Sequence, residues 1–385
     1  PANEAAGAYL AHSIRLDRRT FKKGRLLSID DIKILVADGV RDVTVARLEG
    51  SDVHEDTAAA RLASALAGSG LKISAAFTGR VNLIADCAGI LTVDADCINR
   101  INAVHESVTV ATLPAYASVS PRQMAATIKI IPFAAPEWAV AKAEAIARAN
   151  AQALVAQAFR PIRAALIKST LPTVKPSALD KTVDVTAARL AALGGALADE
   201  RRTLHDATAI ADAIKATDSI NADILLIAGA SAIVDRADAL PAGIEQAGGT
   251  VLHFGMPVDP GNLIMLAERN GKPVIGLPGC ARSPKLNGFD WALQRFAAGV
   301  PVTSQDIQAM GVGGLLAEIG ARPLPRAEAT RMPADIQHAP KVAAMVLAAG
   351  QSLRMGQANK LLEIVDGRAM VVTAVEAALA ADVSS

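Results

Sequence analysis

Aromatic side chains make up only 3% of this 385-residue chain. That is too few rings for the stacked platforms that hold single-stranded nucleic acid. Neither sign of charge dominates. With 39 Lys+Arg against 38 Asp+Glu and a net charge of +1, no basic face advertises nucleic acid or anionic membrane as a partner. No run of about 18 uncharged apolar residues occurs; the alanine-rich stretch 134–159 is interrupted by Glu137, Lys142, Glu144 and Arg148. The three cysteines, Cys87, Cys97 and Cys280, lack CxxC spacing, and the six histidines are scattered without an HExxH pattern. A disulfide framework and a zinc site are both excluded on that spacing. Pro1 opens no signal-peptide pattern. The expectation is a reduced, cytoplasmic protein whose partner is a small molecule.

What is present is apolar mass. Hydrophobic residues reach 51% and mean hydropathy is +0.31, enough for two or three domains with cores of their own. Residues 1–134 read as an α+β region. Ser28 with Asp31 forms an N-cap pair opening a helix over Ile29–Asp38, closed by Gly39. Strand-like runs follow at 43–48, 71–77, 81–85, 90–93, 107–112 and 124–131. Asp52, Glu55 and Asp56 read as a solvated acidic loop. Residues 135–160 are expected to be one linking helix, since strong helix formers run without Gly or Pro after Pro136.

From Pro161 the pattern becomes regular βα alternation, which predicts a mostly parallel sheet covered on both faces across 161–320. Asp223–Gly229 is nearly all apolar, as a central parallel strand should be. Asp206 caps a helix over 207–216, and Asn270-Gly271 is a hairpin turn. Residues 321–340, with four prolines and five charges, read as a linker. A new strand opens at Lys341.

Ligands of an open parallel sheet collect at the carboxyl ends of its strands. Three small-residue loops are expected there: 168–175, which includes Thr170; 228–238, with Gly229, Ser231, Asp235 and Asp238; and 276–288, with Gly279, Ser283, Lys285 and Asn287. Small residues admit a ligand to the backbone, and Ser231, Ser283, Lys285 and Asn287 are types that hold phosphate. Asp235 or Asp238 could hold a divalent ion.

The stretch from about 161 to 300 resembles the molybdopterin-binding domain shared by molybdopterin adenylyltransferases and molybdotransferases. Leu226–Ser231 followed by Asp resembles that family's GG-[TV]-[SG]…D stretch, and Gly276-Leu-Pro-Gly279 its GLPGNP loop. Asp180-Lys181-Thr182 sits where the family has Asp-Ser-Asn opening a helix, and Val258–Asn262 resembles its PGKP turn. Ala228-Gly229 stands in place of the double glycine, and Cys280-Ala281 in place of Asn-Pro. The N-terminal segment, with Gly24, Ile32 and Gly39-Val40, is similar to the β-rich part of the molybdotransferases. Leu347–Gly356 with Asn359-Lys-Leu-Leu362 resembles the nucleotide signature of CTP:molybdopterin cytidylyltransferases.

The resemblance implies a three-layer α/β/α molybdopterin-binding domain after an N-terminal β-rich region, then the start of a Rossmann-like nucleotidyltransferase over 341–385. It implies substrate contacts at Thr170, Lys181, Thr182, Gly229, Ser231, Gly279, Ser283, Lys285 and Asn287. Asp238 or Asp235 would be the catalytic acid, with Mg on Asp238, and Ala348, Ala349, Gly350, Arg354 and Lys360 would hold ATP or CTP. Molybdopterin would be the substrate, in nucleotidyl or molybdate transfer. The alternatives are a non-catalytic molybdopterin carrier and an ADP-ribose-type nucleotide pyrophosphatase. A homo-oligomer, and delivery to molybdoenzymes or their chaperones, are the further partners implied.

Overall fold

The computed structural model describes residues 1–17, 19–150, 152–172 and 176–316. Near the C-terminus it describes 364–365, 367–369, 371–373 and 375–376. The chain divides into two compact units, 1–318 and 319–385.

The helix Ile29–Ala37 opens on a complete capping box. The Ser28 Oγ accepts from the Asp31 N–H at 3.1 Å, and the Asp31 carboxylate accepts from the Ser28 N–H at 3.1 Å. The same carboxylate takes two parallel bonds from Arg25, both 2.9 Å, although Asp31 is only 5% exposed. Arg25 holds that carboxyl below the usual range. A depressed carboxyl stabilises the fold above its unfolded pKa of about 4 and loses that contribution as pH falls through the folded value. Stability against denaturant is therefore expected to drop below about pH 4, with Asp31→Asn removing part of the drop. An identical acid limb in that variant would refute the assignment.

The N-terminal part of the first unit carries a four-stranded antiparallel sheet. Its order is Leu71–Ile73, Arg80–Ala85, Met124–Ile130, Val108–Thr112, and helices Glu55–Leu66, Ala95–Asn102 and Glu137–Ala149 share a core with it. The expected linking helix over 135–160 stops at Ala149. After it the chain forms a strand, Leu154–Ala158, paired with Gly89–Val93. Helix propensity loses here to burial, because Leu154, Val155 and Ala156 are all but inaccessible in that ladder. The approach is so close that a Cβ on Gly89 would lie 2.0 Å from the Gln157 carbonyl oxygen. Farther along, the Arg295 guanidinium lies 3.5 Å from the Tyr116 ring centroid and ties this part to the next.

The second part of this unit is a six-stranded sheet: β1 (Arg163–Thr170), β2 (Ala196–Leu204), β3 (Ile224–Ala228), β4 (Thr250–Phe254), β5 (Met265–Arg269) and β6 (Lys272–Leu277). The order is β2-β1-β3-β6-β5-β4. Strands β2, β1, β3 and β6 are parallel, and β5 runs against both its neighbours. Side chains alternate across the sheet as the strand period requires. Ala164 and Leu166 of β1 pack under helices α1 (Pro176–Ala192) and α4 (Gly288–Ala297). Ala165 and Ile167 face α2 (Ala207–Lys215) and α3 (Ala239–Gln246). All five residues of β3 are buried. The domain is a three-layer α/β/α sandwich with a mostly parallel sheet.

This domain also departs from the sequence reading at α1 and β2. Helix α1 begins at Pro176, so Asp180, Lys181 and Thr182 lie inside it rather than at its opening. Strand β2 was not expected at all. In the C-terminal unit, Ile364–Val365 pairs with Arg368–Ala369 in a small hairpin. The nucleotide-loop residues Ala348, Ala349, Gly350, Arg354 and Lys360 lie outside the described residues. No helix among the described residues is long and apolar enough to cross a membrane.

Candidate functional site

Strand β1 delivers the first group of side chains. It extends through Thr170, so Lys168 and Ser169, expected in a loop, sit in the sheet and are wholly buried. The Lys168 ammonium is 2.5 Å from a Glu200 carboxylate oxygen and 3.2 Å from the Leu179 carbonyl. That ammonium, helped by Arg202, holds the Glu200 carboxyl below its ordinary value. Lys168 is thus a structural cation between β1, β2 and α1. Thr170, half-buried, bonds the Leu171 carbonyl at 3.2 Å; Thr173, Val174 and Lys175 lie outside the described residues.

Ser169 begins a chain of contacts that reaches the surface. Its Oγ accepts from the Ala230 N–H at 2.9 Å and lies 2.8 Å from His205 Nδ1. His205 Nε2 lies 2.8 Å from the Ser231 Oγ, and Ser231 is exposed. One histidine between β2 and α2 thereby couples the ends of β1 and β3. The other side of the same loop is held by Arg282, whose Nη2 donates to the Gly229 carbonyl at 2.5 Å. Gly229 itself is buried.

The rest of the 229–238 loop is organised by its acids. Asp238 takes the Val234 N–H at 2.7 Å and the Asp235 N–H at 3.0 Å on one oxygen, Oδ2. These two backbone donors, with His205 nearby, keep its carboxyl below the ordinary range. Asp235 accepts from the Ala237 N–H at 2.7 Å. Four N–H groups of this loop, those of Ala230, Val234, Asp235 and Ala237, are therefore used within the fold. Among the described residues no group of three or more His, Cys, Asp or Glu is placed to hold a metal. A magnesium ion arriving on phosphates needs only one or two carboxylates from protein; the residue of this loop that could serve is Asp238, whose Oδ2 already takes two backbone N–H groups.

The third loop is latched from below by Arg189 of α1. Its guanidinium donates to the Ala281 carbonyl at 2.7 Å, the Ser283 carbonyl at 2.7 Å and the Lys285 carbonyl at 3.1 Å. It also pairs with Asp290 at 2.5 Å. Gly279 and Lys285 are exposed and Ser283 is half-buried, so these three remain within reach of a ligand. Asn287 is not: it is 1% exposed and caps α4, its Oδ1 accepting from the Phe289 N–H at 2.8 Å. Its Nδ2 is buried without a hydrogen-bond partner among the described residues. On α1, Lys181 is exposed and Thr182 is 2% exposed. His205, Arg189 and Arg282 are the polar residues of this edge that the sequence reading did not single out.

Comparison with known proteins adds the following. A family model described as a domain of unknown function (DUF8806) matches residues 1–47. No curated protein matches the chain. Among solved structures it is similar to a molybdenum cofactor biosynthesis protein B, with 15% identity, 36% of this chain and 89% of that one covered, and a TM-score of 0.26. It is also similar to a molybdopterin biosynthesis moeA protein from Pyrococcus horikoshii, at 17% identity, covering 66% of this chain and 80% of that one, with a TM-score of 0.25. A third is the protein CinA with unknown function from Thermoplasma acidophilum, at 13% identity, 36% and 96% coverage and a TM-score of 0.26. Scores this low do not by themselves define a common fold; the three-layer architecture stands on the sheet order and the two cores.

Proposed function

We propose that the three-layer domain binds molybdopterin, a phosphorylated pterin dithiolene, at the carboxyl edge of its sheet. The observation that carries this reading is the joining of the two resemblance-bearing loops. The 229–238 loop and the 278–287 loop, each similar to a molybdopterin-binding motif, are tied to one another through Arg282 and Gly229. Ser231, Ser283 and Lys285 then line one edge and would hold the phosphates of pterin and nucleotide, the pterin's falling to Ser283 and Lys285. The role is in molybdenum-cofactor biosynthesis: nucleotidylation of the pterin or molybdate insertion, with ATP or CTP and Mg on Asp238. The segment resembling a cytidylyltransferase would take the product onward.

A second reading, a non-catalytic carrier that presents molybdopterin to a fused or separate transferase, is favoured by one feature. Asp238 is engaged as a loop organiser, one of its oxygens already filled by two backbone donors. Turnover measured with molybdopterin and each nucleotide or molybdate separates the two, since a carrier binds without converting.

Binding itself is tested by pterin fluorescence titration. Ser283→Ala with Lys285→Ala is expected to weaken the complex by roughly 1.5–3 kcal/mol, the loss of a charge-assisted bond. Both side chains reach solvent, so the fold should be unaffected. Unchanged affinity in the double variant would overturn the placement.

A further inference from the structure

We infer that His205 is a positioning residue that fixes Ser231 as a hydrogen-bond donor to a ligand's phosphate oxygen, and that Ser231 is not a histidine-activated nucleophile. A histidine 2.8 Å from an exposed serine hydroxyl resembles the geometry of covalent catalysis. The outcome depends on which ring nitrogen carries the proton.

Ser169 decides that. Its hydroxyl is wholly buried, and it already accepts the Ala230 N–H. Its own proton has one acceptor among the described residues, His205 Nδ1 at 2.8 Å. Were Nδ1 protonated instead, the Ser169 proton would be buried with nowhere to go, a costly arrangement. Ser169 therefore donates to Nδ1, and the neutral imidazole keeps its proton on Nε2. That N–H points at the Ser231 Oγ, which accepts it.

Two consequences follow for Ser231. A general base must offer it an unprotonated nitrogen, and His205 offers a proton. The hydroxyl proton of Ser231, relieved of any bond to the histidine, is directed to the exposed side of the loop. It meets there whatever acceptor a ligand brings. Only the choice of a phosphate oxygen as that acceptor rests on the proposed function; the proton arrangement belongs to the ligand-free protein.

The test uses the full chain with selectively 15N-labelled histidine, the His205 resonances being identified by their loss in His205→Gln. The Nε2–H tautomer is expected in the ligand-free protein, and Ser169→Ala is expected to weaken that preference. Adding pyrophosphate should move the Nε2 signal, and Ser231→Ala should weaken pyrophosphate binding about threefold to tenfold. A fluorophosphonate probe should leave Ser231 unlabelled. An Nδ1–H tautomer or rapid labelling of Ser231 would overturn the positioning role. Pyrophosphate affinity indifferent to Ser231 would overturn the donor assignment. A protein that passes these tests yet ignores pterin would refute only the proposed function.

Discussion

Arg189→Ala is expected to abolish pterin binding and to destabilise the chain by roughly 3–5 kcal/mol, the range for removing one partner of a buried ion pair. Among the described residues Arg189 is the single donor to three carbonyls of the 281–285 stretch, and it is the partner of Asp290. Without it three carbonyls lose this donor and the Asp290 carboxylate keeps only the Asn287 N–H among the described residues, so the loop is expected no longer to hold Ser283 and Lys285 in place. Arg189→Lys keeps the charge but loses the planar fork, which alone satisfies several acceptors at fixed angles. It should recover part of the stability and little of the binding. Urea unfolding and pterin titration on both variants read the two effects. Undiminished binding by Arg189→Ala would show that the loop is held by something else.

The second large effect belongs to Glu200. Glu200→Ala strands the Lys168 ammonium, which is wholly buried and keeps, among the described residues, only the Leu179 carbonyl. A buried charge deprived of its counter-ion costs about 3–5 kcal/mol. Lys168→Met combined with Glu200→Leu removes both charges and should restore most of the loss, because desolvating the pair offsets much of its attraction. The measurement is the urea midpoint of the single and double variants. If the double variant were no better than Glu200→Ala, the penalty would come from strand packing and not from the orphaned cation.

Local signals were legible where one residue decides the backbone. Ser28 and Asp206 act through side-chain caps and the Asn270-Gly271 turn through left-handed φ values of +52° and +72°, and all three stand as read. The apolar run at β3 was equally plain, since a strand buried on both faces needs no polar residue. Strand β2 was hidden because Asp199, Glu200, Arg201 and Arg202 interrupt any alternation; their partners are the distant Lys168 and Asp180 together with pairs inside the strand, Arg201 with Asp199 and Arg202 with Glu200. Ala135–Ala158 misled because alanine favours a helix locally, while the partner strand at Gly89–Val93 lies far away in sequence.

The site divides in the same way. Ser231, Asp238, Ser283 and Lys285 were visible as small or polar loop residues after apolar strands. His205 was not, for its partners lie 36 residues before and 26 after it. Arg282 reaches across 53 residues to Gly229. Their roles exist only once the sheet has brought three strand ends together.

Strand β2 is also the outermost of its sheet, with no further strand paired along the other side of its nine residues among those described. Another chain adding a strand there would have to desolvate the two acids Asp199 and Glu200 and the two bases Arg201 and Arg202 that follow them. The charges that hid the strand from a reader of the sequence therefore also hide it from other molecules. Charges so placed on an edge strand work as gatekeepers against edge-to-edge aggregation.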